Sequence, residues 1–335
     1  MARPTSEHLE WAARQAAACR LCPRDCRVDR RAGQVGRCGA PGAPAYFMEY
    51  VHYGEEDPLR PSHTVFLTGC NMDCVFCHTA DDRARLPARQ LTPAAFDRLV
   101  ARGRAEGARN VNVLGGEPSV SLPGVLEVLD AAADLPRLVW NTNMYVAPDT
   151  VRVLCDVVDV FLADLKFGGN RCASTLAGVD DYWDVVRDRL IQAHERDTVE
   201  MILRHLVLPG HFECCTRPAL TWAAEALPRS GVSLKLDYLV MPRARGDDRL
   251  GAFLRRDEAD AARSLAAELG LSLVTSSPPV GDLAGPRDGR VDEGRELEAE
   301  VVISPKGDVY LRHPVRQMMG LGSPDEAGRQ RKDGT

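Results

Sequence analysis

From residue 64 onward, short apolar runs alternate with stretches of helical periodicity. The runs at 64–69, 110–115, 137–142, 157–164, 199–208, 232–240 and 271–276 are rich in β-branched and aliphatic residues and predict strands. Apolar positions at helical spacing predict helices over about 92–107, 121–133, 148–156, 181–196, 216–228 and 257–269. Thr92 and Pro93 supply an N-cap and a first helical residue for the earliest of these. Residues 5–18 predict a further, alanine-rich helix. Strand–helix alternation at this spacing builds βαβ units and a parallel sheet. Six or seven units predict an α/β fold of TIM-barrel type, full or partial; a doubly wound open sheet is the competing arrangement.

The flanks lack this rhythm. Residues 19–62 are rich in Cys, Arg, Gly and Pro. After 277 the chain reads as a loop, then as a hairpin in which 301–303 and 309–311 flank a turn at Pro305–Asp308. The last dozen residues read as disordered. The expected organisation is a Cys-rich extension over 1–62, a barrel over 63–277, and a loop, hairpin and tail over 278–335.

Composition narrows the function. With 335 residues and 44% hydrophobic content, the chain can bury a sizeable core. Its 42 basic and 48 acidic residues give a net charge of −6, which argues against nucleic acid or an anionic membrane as partner. No apolar run reaches membrane-spanning length, and the N-terminus lacks a signal-peptide core, so the expected location is cytoplasmic. In a reducing compartment eleven cysteines do not read as a disulfide framework, and the seven between Cys19 and Cys77 favour metal ligation.

The densest chemistry is "GCNMDCVFCH", where Cys70, Cys74 and Cys77 follow the first predicted barrel strand. Barrel and open-sheet active sites form at that strand end. Three thiolates can hold three irons of a [4Fe–4S] cluster and leave the fourth iron open to a non-protein ligand. A structural zinc with a fourth ligand such as His78 is the alternative.

This loop resembles the C-x3-C-x-aromatic-C signature of the radical S-adenosylmethionine (SAM) enzymes, with Phe76 as the aromatic residue. The resemblance implies a partial (β/α)6 barrel, a [4Fe–4S] cluster and SAM chelated at the open iron. Reductive cleavage would then give a 5′-deoxyadenosyl radical. It also implies an electron donor such as flavodoxin or ferredoxin. Gly115, Gly116, Glu117 and Pro118 match the family's G-G-E-P stretch, where glycines let backbone approach a ligand and the carboxylate can assist in holding the SAM ammonium group. "WNTNMY" is similar to the segment that ends the family's third strand, which makes Asn143 a SAM contact. Asp164 and Lys166 resemble the Asp-x-Lys pair of the glycyl-radical-activating branch, and Arg204 its R-x-x-x-x-P-G. Phe76, Gly115, Gly116, Glu117, Asn143, Asp164, Lys166 and Arg204 are thus the expected cofactor-binding residues. His205 points to the other face of its strand and reads as a packing residue. The sixth strand lacks the branch's His-x-x-Gly ending.

Cys19, Cys22, Cys26 and Cys38 form a second, complete set, C-x2-C-x3-C-x11-C, suited to zinc or to a second Fe–S cluster. Its opening, C-x-L-C-P-R-x-C, resembles a subgroup labelled pyruvate-formate-lyase-activating-enzyme-like. Adjacent Cys214 and Cys215 read as packing residues, with metal ligation the alternative. The expected activity is radical SAM chemistry. Activase-like action on a protein is the leading substrate reading, and modification of a small molecule or peptide the second. A non-catalytic zinc-binding interaction protein is the reading from another class.

Overall fold

The structure, a computed structural model, describes residues 3–275 in full and, beyond them, the backbone of 300–303 and 309–312. The predicted turn at Pro305–Asp308 and the C-terminal tail lie outside the described residues. The chain divides into two units, Met1–Gly289 and Arg290–Thr335.

The first unit opens with α1 (Ser6–Ala17), capped by Thr5. Then come β1 (Ala45–His52), β2 (Ser62–Leu67), α2 (Ala80–Arg85), β3 (Arg89–Gln90) and α3 (Pro93–Ala105). The alternation continues through β4 (Asn110–Gly115), α4 (Leu122–Ala131), β5 (Leu138–Thr142), α5 (Pro148–Val157) and β6 (Val160–Asp164). It ends with α6 (Asn170–Ala177), α7 (Tyr182–His194), β7 (Glu200–Leu206), α8 (Arg217–Ala226), β8 (Gly231–Lys235) and α9 (Arg256–Glu268). In the second unit, β9 (Glu300–Ile303) pairs antiparallel with β10 (Val309–Arg312), as the hairpin pattern predicts.

The sheet order is β3-β1-β2-β4-β5-β6-β7-β8. From β2 to β8 the pairing is parallel and strictly sequential. A doubly wound sheet reverses its strand order partway; this one does not. Crossovers of a single hand then put the helices on one face, and the other face becomes the inside of an open, barrel-like curl. All six residues of β2 are buried, as a strand covered on both faces requires. The core between sheet and helices is built on Trp140, Phe161, Phe96 and Leu126.

Two expectations change. Where a seventh strand is expected over 271–276, the described residues 271–275 carry a single bridge, Val232 to Leu273. Residues 45–52, assigned by sequence to the N-terminal extension, join the main sheet by antiparallel pairing with β2.

Candidate active site

The Cys70–Cys77 loop leaves the C-terminal end of β2, where Gly69 turns with φ of +83°. Backbone bonds hold the loop at both ends. The Cys70 amide donates to the Cys38 carbonyl (2.9 Å), and the Asp73 and Val75 amides donate to Ala177 (3.0 Å) and Leu176 (2.9 Å) at the end of α6. Cys74 is buried, with Lys166 and the other two thiols as its electrostatic neighbours. Burial pushes the Cys70 thiol up to about 11 and the Cys74 thiol higher still. Such thiols ionise when a cation offsets the burial.

The G-G-E-P stretch has a more specific job than ligand approach. Gly115 has φ of +126°, and a Cβ there would strike the Leu67 backbone. A Cβ on Gly116 would strike the Gly69 carbonyl. The space is filled by a ladder in which the Gly116 amide donates to Leu67 (3.0 Å) and the Glu117 amide to Gly69 (2.9 Å). The two glycines therefore seat the cysteine loop itself.

Glu117 is fully buried. Its carboxylate accepts from the Ser119 amide (3.0 Å), the Thr142 hydroxyl (2.7 Å) and the Asn143 amide (2.7 Å). Burial raises its pKa, and these donors oppose the rise. The Asn143 side chain donates to Asn71 Oδ1 (2.9 Å), and Asn71 Nδ2 donates to the Tyr145 carbonyl (2.6 Å). Asn71 and Thr142, which sequence reasoning did not single out, thus couple the cysteine loop to the ends of β4 and β5. Their polar side chains carried no spacing signal.

Lys166 Nζ donates to Asp164 at 2.6 Å. Burial works against the ammonium, but Asp164, then Cys74 and Tyr182, outweigh it, so Lys166 stays charged. The Tyr182 hydroxyl accepts from the Lys166 amide (2.8 Å) and donates to the Asp164 carbonyl (3.1 Å), fixing the turn. Phe76 is largely buried and packs edge-on against Phe167, which packs against Tyr182. His78 opens to solvent, with Lys166, Arg204 and Asp164 among its neighbours.

Arg204 faces Asp164 in register, and its guanidinium is already engaged. It donates to Glu56 at 3.0 and 2.7 Å and to Glu55 at 2.8 Å. The two acids follow β1, a strand the sequence did not reveal. His205 takes the opposite face, its ring nitrogens meeting the Leu165 carbonyl (2.6 Å) and the Thr216 hydroxyl (3.0 Å). Burial lowers its pKa to about 4.

Cys19, Cys22, Cys26 and Cys38 line one pocket. Asp25 and Arg27, on either side of Cys26, adopt left-handed backbone, with φ of +40° and +54°. Arg30 reaches Cys38 Sγ at 3.3 Å, and Cys22 bonds Asn71. The pocket encloses about 10 Å³, room for one water-sized body.

The donor set suits an iron–sulfur group. Three soft thiols gather at a strand end. Nη1 of Arg83 is buried against Gly116 and close to Cys70, with no hydrogen-bond partner among the described residues. An unpartnered guanidinium nitrogen beside three thiols fits an anionic occupant.

The family model described as the Radical SAM superfamily matches residues 64–223. An uncharacterized protein of Methanocaldococcus jannaschii is 33% identical over 265 residues, 76% of this chain and 76% of that protein. Among solved structures, Streptococcus suis SuiB bound to S-adenosylmethionine is similar over 61% of this chain and 47% of its own, at 16% identity and TM-score 0.46. A radical SAM methyltransferase from Sphaerobacter thermophilus is similar over 64% of this chain and 66% of its own, at 14% identity and TM-score 0.47. The chain spans a little under half the length of SuiB. Among the described residues no helix is long and apolar enough to cross a membrane.

Proposed function

The chain belongs to the radical SAM superfamily, and we propose that it holds a [4Fe–4S] cluster on Cys70, Cys74 and Cys77 and binds SAM in the barrel mouth beside them. The observation that carries this reading is the convergence of three buried or half-buried thiols and a charged lysine at the C-terminal end of a sequential parallel sheet. When bound, cluster and SAM supply a one-electron cleavage that gives methionine and a 5′-deoxyadenosyl radical able to abstract hydrogen.

The chain's own residues prepare that chemistry. Gly115 and Gly116 seat the loop, and Glu117 fixes the amides at the end of β5. Asn143 and Asn71 offer amide groups near the loop, and Lys166 supplies a cation beside Cys74. Phe76, Phe167 and Tyr182 form an apolar wall that keeps water from one side of the mouth.

Two substrate readings rest on different residues. The Asp164–Lys166 ion pair supports activase-like action on a protein. The engagement of Arg204 by Glu55 and Glu56 supports the second, action on a small molecule or peptide, because it occupies the arginine that the activase resemblance assigns to SAM. For the N-terminal quartet, zinc and a second iron–sulfur cluster are the two occupants its four thiols fit, and metal analysis separates them. Reduced protein, reconstituted anaerobically with iron and sulfide, is expected to convert SAM to 5′-deoxyadenosine. Undiminished conversion by Cys74→Ala would overturn the assignment.

A further inference from the structure

We propose that Cys172, His211, Cys214 and Cys215 form a second tetrahedral metal centre, a structural zinc site. It is separate from both the Cys70–Cys77 loop and the N-terminal quartet. The ligand atoms of the four side chains all lie within 4.8 Å of one another. Three of the four residues are buried, and Cys214 is half-buried. The sequence reading of Cys214 and Cys215 as packing residues misses this convergence, because Cys172 lies some forty positions upstream and on another element.

The distances match zinc geometry. Zinc binds thiolate sulfur at about 2.3 Å and imidazole nitrogen at about 2.0 Å, almost always in a tetrahedron. The edges of that tetrahedron are about 3.8 Å between sulfurs and about 3.5 Å from sulfur to nitrogen. Cys172 Sγ lies 3.6 Å from Cys214 Sγ. His211 Nδ1 lies 3.4 Å from Cys214 Sγ, 3.7 Å from Cys172 Sγ and 4.0 Å from Cys215 Sγ. A disulfide would bring two sulfurs to about 2.0 Å and leave a third thiol and the imidazole without a role. Three thiols and one imidazole make a closed set, the kind used structurally rather than catalytically.

The backbone is shaped to the same end. Phe212–Thr216 forms a π-helical turn before α8, in which the Thr216 amide reaches the His211 carbonyl at 3.3 Å. Such turns insert an extra residue and often mark functional sites. Here the turn lets two consecutive cysteines and the preceding histidine reach one point. Gly210, at φ of +69°, brings the chain out of β7 into that turn. The Gly168 amide reaches the Cys215 sulfur, the outer support a bound thiolate uses.

The centre would tie three segments together. Cys172 stands in the first turn of α6, Gly168 follows the Lys166 turn, and the other ligands follow β7. The far end of α6 supplies the carbonyls that hold Asp73 and Val75. A zinc here therefore braces the start of α6 and touches no reacting atom, while the cysteine loop keeps its own bonds to Cys38, Asn143 and the end of α6.

The test is metal analysis of anaerobically purified full-length protein. Cys172→Ser/Cys214→Ser is expected to carry one zinc fewer per chain than wild type, with iron unchanged. Equal zinc in both proteins, or loss of iron instead of zinc, would overturn the proposal. If the double variant does not fold, wild-type protein is treated with N-ethylmaleimide and mapped by mass spectrometry before and after zinc removal. Cys172, Cys214 and Cys215 should be protected at first and modified afterwards. Ready modification of half-exposed Cys214 while all zinc is retained, or a Cys172–Cys214 disulfide in the unmodified protein, would refute it.

Discussion

Replacing Arg204 by methionine removes the only positive charge shown bonding Glu56 among the described residues, and the main partner of Glu55. Neither acid exposes more than 4% of its side chain. Glu55 keeps His52 and Asn112 as neighbours, and Glu56 keeps Ser233, so hydrogen bonds remain but the permanent charge is gone. Breaking a buried ion pair by deleting one partner typically costs about 3–5 kcal/mol. At about 2–4 °C per kcal/mol, the melting temperature should fall by roughly 6–20 °C. The pH dependence separates electrostatics from lost packing. In the wild type, burial alone would raise the Glu55 pKa, but Arg204 and His52 bring it below the ordinary 4.5. That contribution is fully present above 4.5 and is lost as pH falls below it. In Arg204→Met burial dominates, so the folded pKa rises above the unfolded value and the charged acid costs stability at high pH. The cost fades as pH falls. Urea unfolding at pH 8 and pH 5.5 should show the two proteins far apart at the first and closer at the second. A gap below about 1 kcal/mol, or one that does not change with pH, refutes the reasoning.

Two further outcomes follow from the seating of the cysteine loop. Gly115→Ala places a Cβ against Leu67 at φ of +126° and should lower both melting temperature and iron uptake on reconstitution, whereas Gly33→Ala, also at positive φ but facing open space, should cost only about 1–2 kcal/mol and leave iron uptake unchanged. Glu117→Gln turns one buried acceptor into a donor facing Thr142 or Asn143; thermal unfolding should show a loss of about 2–3 kcal/mol, and retention of wild-type stability would mean the carboxylate is not the acceptor for all three donors.

The barrel-like part of the fold was legible because its signal is periodic. Strands β4 to β7 and helices α3 to α5 fall within a few residues of the pattern, since apolar alternation there is set by burial against one core. The failures have different physical causes. Helix α2 buries no residue, so no apolar stripe announces it. Helix α6, "NRCASTLA", is short and built from modest helix formers, and it relies on Gly178 as a left-handed cap. Strand β1 is embedded among glycines and prolines and carries an irregular register between Tyr46 and Met48. In the site, spacing revealed Cys70, Cys74 and Cys77 because they are neighbours in one loop. Glu55, Glu56, Asn71 and Thr142 join the site only through tertiary contacts, and no local pattern encodes those. His211 with Cys172 is another such case, a pairing across 39 residues.

The cysteine loop is anchored by the protein itself: its backbone bonds Cys38 at one end and Leu176 and Ala177 at the other, and Asn71 bonds Asn143 and the Tyr145 carbonyl between them. A loop held this way keeps its shape when whatever its thiols carry is lost. Oxygen dismantles iron–sulfur groups readily, and an enzyme that had to refold its binding loop after each such loss would spend that interval exposed to proteases and aggregation. Here repair amounts to refilling a standing mould. Exposure to air should therefore inactivate this protein long before it unfolds it.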